Sequence, residues 1–514
     1  DIRARSLVLL AGDPTQHDLE ALAEYGVKDA QRCARALRHL AHGSVTAPLP
    51  PSVAEQFADL APSVLQAAAR TPDPDASIAN FGEFCGLIGS YGALYSLLAD
   101  EPQVVEMLVR VAGCSASLSA ILARHPEYFD MLMDPGLMEA VRSREKVTGE
   151  LGVRLDDVSD SALRIQTVSR FRRRELLRVG VRDLMNGADT ETTINELSVI
   201  AEACLEGLLD TVSLDAAGAT GRELPFAVMG MGKLAGGELH YNSDLDVMFV
   251  WGEGGDAGPD SQRLFTRVAS GVLAAAGAAA PGEGPPLTID ARLRPEGQNG
   301  PLVRSVSACA EYYANRASTW ERMALIRCRA VAGSDVVGRA FVDSVAPFVW
   351  RDGLRPEELA EIIHMKGRIE QERANTADGK VDVKLGPGGI GDIEFGAQLL
   401  QLAHGHETAS IRADGTLSGI RALTSAGLLE STEAESIESA YLFLRRVECR
   451  LQIVHAWDES TIEPGSGGFE ALARLLEYRE DGGRSAAECL AADLDAHRRA
   501  SRSFWEGTVA RLGG

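Results

Sequence analysis

The stretch Gly230-Met-Gly-Lys-Leu-Ala-Gly-Gly-Glu-Leu-His-Tyr-Asn-Ser-Asp-Leu-Asp-Val-Met-Phe-Val-Trp251 decides the fold of this 514-residue chain. From Val247 to Trp251 it is apolar and reads as a buried strand, with Asp244 and Asp246 at its start. On a strand, side chains separated by one neighbour point the same way, so the two aspartates converge. Carboxylates held that close, with no basic residue between them, repel unless one takes a proton or both share a cation. A divalent metal is the simplest answer. Upstream, Leu224-Pro-Phe-Ala-Val-Met-Gly230 reads as a short buried strand. Gly232, Gly236 and Gly237 then allow backbone to approach a ligand closely, with Lys233 as a cation beside it, as a phosphate-cradling turn requires.

Two-metal chemistry at phosphorus needs ligands on both ions, and Asp290 is the candidate third carboxylate. It sits in Leu287-Thr-Ile-Asp-Ala-Arg-Leu-Arg-Pro295. Strand alternation would put Asp290, Arg292 and Arg294 on one face, and arginine suits bidentate contact with phosphate oxygens, such as those of ATP. Set against this, a lone Asp-x-Asp is common on solvated surfaces, and glycines often just shape a loop. The stretch is not a P-loop, because no Gly-Lys-Ser/Thr follows a four-residue spacer. It is not a dinucleotide fingerprint either, because the aspartate pair follows too soon.

Gly232 and Lys233, a short spacer and Ser243-Asp244-Leu245-Asp246 resemble the signature of the DNA polymerase β-like nucleotidyltransferase superfamily. The longer string is similar to the bifunctional glutamine synthetase adenylyltransferase/adenylyl-removing enzyme family. Two further blocks agree with it. One is Asp290-Ala-Arg-Leu-Arg-Pro295 followed by Trp320-Glu-Arg-Met-Ala-Leu-Ile-Arg-Cys-Arg329; the other is Asp382-Val-Lys-Leu-Gly-Pro-Gly-Gly-Ile-Gly-Asp-Ile-Glu-Phe395. The resemblance implies Asp244, Asp246 and Asp290 as catalytic metal ligands in a two-ion Mg²⁺ site. It also implies ATP held by Gly232, Lys233, Ser243, Arg292 and Arg294, glutamine synthetase as protein substrate, and a PII signalling protein as a possible partner.

The family enzyme carries two catalytic units in tandem, whereas each block occurs once here, and Asp1 stands where an initiator methionine would be. A fragment is therefore expected. His240-Tyr-Asn-Ser-Asp-Leu-Asp246 and Gly391-Asp392 are more similar to the C-terminal, adenylylating unit than to the removing unit. The long helical lead resembles the linker between the two. Ala235 replaces a frequent glycine, and Pro281-Gly-Glu-Gly-Pro-Pro286 replaces the more usual approach to Asp290.

The net charge of −23 argues against general nucleic-acid binding, since a polyanion would be repelled except at local basic patches. Eight cysteines stand singly, with no zinc spacing, and read as small core residues in a reducing compartment. The most apolar run, Val272 to Ala280, is too short to span a bilayer, and no charged-then-apolar leader opens the chain. The expectation is a soluble cytoplasmic protein with no membrane contact.

The periodicities predict an α+β chain, predominantly helical. Residues 1–212 form a helical linker or regulatory region, 213–345 the polymerase β-like nucleotidyltransferase domain, and 346–514 a C-terminal helical bundle. In the first region, Phe81 to Leu98, Val104 to Val111 and Leu118 to Leu122 repeat apolar residues at helical spacing. Arg164 to Arg182 contains seven arginines, interleaved with Ile165, Val168, Phe171, Leu176 and Val179. A core helix with a basic, solvated face is favoured over a nucleic-acid patch. Arg263 to Ala276 and Val306 to Arg329 read as helices around the site. Trp320 is assigned to the core in preference to closing the nucleotide pocket. Gly386-Pro-Gly-Gly389, with Lys384, serves either a helix start aimed at phosphate or a plain loop and cap. Asp392 and Glu394 suit a buried hydrogen-bonding role at least as well as catalysis.

The function these readings favour is AMP transfer from ATP to a tyrosine of glutamine synthetase, with Asp290 also able to act as general base. Three rivals stand beside it: a phosphorolytic adenylyl-removing unit, another polymerase β-like nucleotidyltransferase, and a regulatory scaffold with an idle nucleotide site.

Overall fold

The structure is a computed structural model and describes residues 2–9, 14–252, 259–278, 287–455 and 460–513. It is predominantly helical with small sheets. The Pro281–Pro286 loop lies outside the described residues. Two compact units form. The first gathers Asp1–Ala140, Leu176–Asp189 and Cys449–Asp493; the second gathers Val141–Glu175, Thr190–Glu448 and Leu494–Gly514. No single helix among the described residues is long and apolar enough to cross a membrane. All eight cysteines are free and buried, and burial pushes the Cys204 and Cys309 thiols up to about 12.

The aspartate-bearing sheet belongs to the second unit. Its strands are β1 (Phe226–Met231), β2 (Leu245–Trp251), β3 (Ile289–Asp290), β4 (Val303–Ser305) and β5 (Cys328–Gly333). β1 runs antiparallel to β2, with Gly230 opposite Val247, and antiparallel to β5, with Met231 opposite Cys328. The far edge of β2 is shared between two parallel partners. β3 pairs with its first residues, setting Asp246 beside Asp290, and β4 pairs with Phe249 to Trp251. β1 is buried throughout, and β2 is buried everywhere except at half-buried Asp246. Strands covered on both faces carry continuous apolar runs, which is why Val247 to Trp251 shows no alternation. On one face, Phe265 of helix Pro259–Gly277 stacks on Phe226 at 5.6 Å and on Trp251 at 5.4 Å. On the other, Met229, Met248 and Val250 join a core with Tyr313 and Phe341.

Three sequence expectations change. The strand expected from Leu287 to Pro295 ends at Asp290. The Asp290 carboxylate accepts the Arg292 backbone N–H at 2.8 Å, an Asx-type turn that replaces the ladder, and Pro295 has no N–H to extend it. Arg292 and Arg294 therefore do not share a strand face with Asp290. Val306 to Arg329, read as helices, forms two, Val306–Asn315 and Thr319–Ile326, and departs from that reading at Cys328 and Arg329, which open β5.

The third change concerns the arginine-rich helix, Ser161–Leu184, whose basic residues are largely withdrawn from solvent. Arg178 and Arg182 are buried. Within the second unit, Arg164 donates to the Leu155 and Val158 carbonyls at 2.7 and 3.1 Å, and Arg174 pairs with Glu150. The neighbouring Glu175, fully buried, accepts Arg142 at 2.9 Å. Long aliphatic stems let arginine pack among apolar side chains while its head finds an internal acceptor, so charge on a helix face does not guarantee solvation.

Among the described residues the first unit is mainly helical, with the two-residue ladder Gly43–Ser44 with Ala47–Pro48, the short strand Thr461–Ile462 and a single bridge between Asp481 and Arg484. Pro51–Ala68, Pro74–Ile88 and Pro102–Cys114 each begin on proline, whose missing N–H costs nothing in a first turn. The periodic run from Phe81 to Leu98 is divided at Gly89, which takes φ +69 and closes the first of two helices.

One buried ion pair fixes the helices beneath the sheet. Arg322 is fully buried; it meets Glu358 at 3.1 Å and donates to the Val349, Arg351 and Gly353 carbonyls at 2.8–3.1 Å. Arg322→Ala strands three carbonyls and leaves Glu358 to the more exposed Arg351 and Arg355. It is expected to cost about 3–5 kcal/mol. Urea unfolding followed by tryptophan fluorescence measures this; an unchanged midpoint would show that the pair is dispensable.

Candidate active site

The site is built where β1 turns into β2. Gly232 adopts φ +54, and a Cβ there would meet only the Asp246 Oδ2, at 3.6 Å. The turn thus crosses directly beside Asp246 in a conformation that glycine adopts without strain. A short helix, Gly232–Gly236, follows and is closed by Gly237 in the left-handed conformation. The Gly232 N–H donates to the Arg327 carbonyl at 3.1 Å, tying the turn to the start of β5.

The Leu245 N–H donates to the Thr288 carbonyl at 2.8 Å, and the pairing continues to Asp246 beside Asp290. Asp244 stands exposed one residue before β2. The three carboxylates share one field. Burial, then Asp290 and Asp244, push the Asp246 carboxyl up to about 6. Asp290 is held below the usual carboxylate range by Arg292, whose Nε lies 2.9 and 2.7 Å from its two oxygens. The Arg292 side chain is itself 65% exposed.

The other expected nucleotide contacts have distinct fates. Arg294 donates to the Ala291, Gln298 and Gly300 carbonyls at 2.6–3.2 Å and so staples the turn after Asp290. The Ser243 Oγ accepts the His240 N–H at 2.9 Å, shaping the turn into β2. Lys233 donates to Glu448 at 3.1 Å, and burial pushes its ammonium pKa down.

Glu448, which no motif singled out, is fully buried on helix Ser431–His455. It receives Lys233, Arg445 and, at 3.5 Å, the His240 Nε2. Against the upward push of burial, Lys233 and Arg445 hold its carboxyl far below the usual range, while burial drives His240 strongly toward the neutral form. A second cluster adjoins it. Arg327 reaches Glu394 at 3.3 Å and Glu238 at 3.6 Å, and the Thr416 hydroxyl donates to Glu238 at 2.9 Å. Arg327, Glu238 and Glu394 lie inside the three sequence blocks. Arg445 and Glu448 are spaced like any helix-surface pair, and only their burial marks them.

Gly386–Gly389 is a plain loop. The Gly388 N–H donates to Asp392 at 2.9 Å, Ile390 to the Val383 carbonyl at 2.9 Å, and Gly391 to the Lys384 carbonyl at 3.0 Å, so these amides have internal partners. Asp392 is fully buried and pairs with Lys366, the hydrogen-bonding role its burial favours. Trp320, expected in the core, is 40% exposed. Its neighbour Glu321 is buried instead, where it caps its own helix and accepts the Tyr312 hydroxyl at 3.0 Å.

Among the described residues, no three His, Cys, Asp or Glu side chains are grouped closely enough to enclose a metal ion. Asp290 is turned onto Arg292 rather than toward Asp244 and Asp246. The donor set nonetheless fits Mg²⁺, a hard cation that prefers carboxylate oxygen. The mutual repulsion that raises Asp246 is what such an ion relieves.

Residues 105–344 match the family model for glutamate-ammonia ligase adenylyltransferase, and residues 360–508 match that for GlnD PII-uridylyltransferase. Similar proteins include the bifunctional glutamine synthetase adenylyltransferase/adenylyl-removing enzyme of Streptomyces coelicolor, 33% identical over 94% of this chain and 48% of that protein. Those of Mycobacterium leprae and Mycobacterium tuberculosis are 35% and 34% identical, each over 82% of this chain and 43% of the relative. The chain spans about half the length of the curated relatives it matches. The three sequence blocks, the paired strands that carry their aspartates and these matches agree: the chain is similar to the glutamate-ammonia ligase adenylyltransferase family over residues 105–344 and to about half of each relative's length.

Proposed function

We propose that this chain transfers AMP from ATP to a tyrosine hydroxyl of glutamine synthetase and releases pyrophosphate. The observation that carries the proposal is the register placing Asp246 beside Asp290, with Asp244 at the mouth of the strand and the Gly232 turn alongside. The relatives' printed names give the target and two opposed activities, and this chain spans half their length. The string His240 to Asp246 and the pair Gly391-Asp392 support the adenylylating unit. The match of residues 360–508 to a PII-uridylyltransferase model supports a PII protein as regulatory partner. Eight free, buried cysteines support a cytoplasmic setting.

The phenolic oxygen forms a bond to the α-phosphorus of ATP, the α–β anhydride bond breaks, and pyrophosphate leaves with the electron pair. Catalysis of this kind rests on positioning and charge neutralisation. Asp244 and Asp246 are the proposed holders of one Mg²⁺ and Asp290 of a second, ions that would neutralise phosphate charge and acidify the attacking hydroxyl. Arg292 is the exposed, movable cation. When its guanidinium passes from Asp290 to phosphate oxygens, the Asp290 carboxylate is released to take the phenolic proton. The Gly232 turn keeps backbone close to Asp246, and Glu448 holds Lys233 at the base of that turn.

Asp246→Asn removes one of three mutually repelling carboxylates. The variant is expected to melt no lower than wild type in metal-free buffer while losing AMP transfer by roughly a hundredfold or more. Wild-type turnover in this variant would remove Asp246 from the proposed metal site.

The two arginines separate by their contacts. Arg292→Ala is expected to weaken ATP binding about tenfold with little change in melting temperature, whereas Arg294→Ala should destabilise the turn by about 1–3 kcal/mol through three orphaned carbonyls. Calorimetry with ATP and thermal melts distinguish them; the reverse pattern would transfer the phosphate role to Arg294.

Direction is tested by running both reactions on one preparation. The proposal expects label from base-labelled ATP on a tyrosine peptide of unmodified glutamine synthetase, and little ADP from adenylylated glutamine synthetase with phosphate. Phosphate-dependent ADP formation without AMP transfer would identify the chain as the removing unit.

A further inference from the structure

We propose that the first compact unit carries an anion-binding cleft, separate from the aspartate site, that takes a small ligand bearing a phosphate or carboxylate group. The cleft encloses about 360 Å³ and is lined by Arg70, Arg110, Arg474 and Arg479 against only Glu106 and Glu477. It is thus a pocket with a surplus of two positive charges in a chain of net charge −23. Its elements are the end of helix Pro51–Ala68, one face of helix Pro102–Cys114, and the last turn of helix Gly467–Leu475 with the residues that follow.

Arg110 is the fixed point. Its side chain is 11% exposed and meets the Glu477 carboxylate at 3.0 Å and Glu106 at 3.7 Å. A guanidinium this deeply placed needs an anionic partner, because a buried charge without one is strongly unfavourable. The partner in place is unusual. Glu477 adopts φ +65, a left-handed backbone that non-glycine residues avoid, and its side chain is 47% exposed. An exposed residue on a strained turn thus supplies the oxygens that Arg110 requires. A ligand carboxylate or phosphate can make the same contact and displace it.

Arg474 and Arg479 flank the position from the solvent side. Guanidinium forks match the oxygens of phosphate and carboxylate bidentately, and two of them beside Arg110 favour a ligand with more than one negative charge. A water molecule's share of liquid volume is about 30 Å³, so the cleft admits a molecule of roughly a dozen non-hydrogen atoms.

Pyrophosphate and citrate are probes of that size, one for each source of the shared chemistry. The full chain, in EDTA at low salt, is titrated with each by calorimetry, alongside Arg474→Gln/Arg479→Gln and Glu477→Gln variants. Both substitutions fall at exposed positions, and a thermal melt verifies that the variants fold. The proposal expects saturable binding of at least one probe, weakened about tenfold or more in the double arginine variant and tightened severalfold in Glu477→Gln. Pyrophosphate alone marks a phosphate ligand; citrate alone marks a carboxylate ligand. Lack of saturation by either probe up to about 10 mM overturns the site, as does binding left unchanged by the double substitution, which would place the probe elsewhere on the chain.

Discussion

Backbone pairing, and no attraction between the groups themselves, brings Asp244, Asp246 and Asp290 to one end of a sheet. Leu245 and Asp246 pair in parallel with Ile289 and Asp290, so ladder hydrogen bonds hold together carboxylates that repel, and burial together with that repulsion pushes Asp246 up to about 6. Such an arrangement persists only on an element that cannot give way. β1 and β2 are that element, packed on both faces and buried at every position but Asp246. The positive φ of Gly232, the covered strand and the internal pair of Arg292 with Asp290 all follow from the need to hold this charge in place. The proposed AMP transfer draws on that repulsion, which a shared cation would relieve.

Buried ion pairs connect the turn to the helices after the sheet. Glu448 collects Lys233, His240 and Arg445, and Arg327 joins Glu238 to Glu394. Desolvating so many charges offsets much of their attraction, and apolar replacements often match such pairs in stability. What the pairs do provide is register. A carboxylate on helix Ser431–His455 holds Lys233 across 215 residues of sequence, and another on helix Ile390–His404 holds Arg327, whose carbonyl accepts the Gly232 N–H, across 67. Segments outside the sheet thereby set the geometry at Asp246.

Arginine shows most directly how tertiary context assigns a role. Arg292, itself exposed, lies on the half-buried Asp290 carboxylate, Arg294 on three backbone carbonyls, Arg322 in a buried pair, and Arg178 and Arg182 inside a helical core. Composition and spacing treat these residues alike. The two strand-face arginines separate because Asp290 turns the chain with its own side chain, a local competition between side-chain and ladder hydrogen bonds. The arginine-rich stretch is helical, as read, but does not keep its solvated face.

The sequence by itself determined the strand, glycine turn and aspartate-strand order and the helical character of most of the chain. Those features rest on two-residue and 3.6-residue periodicity and on glycine's backbone freedom, which are local properties. Tertiary structure alone decided that β3 stops at Asp290, that Cys328 to Gly333 is a strand, that Trp320 faces solvent while Glu321 is buried, and that Lys233 belongs to Glu448. Each depends on which distant group reaches a donor, an acceptor or an apolar face first. Non-local pairing of that kind leaves no period in the chain, because the partner, and not the residue, determines the outcome.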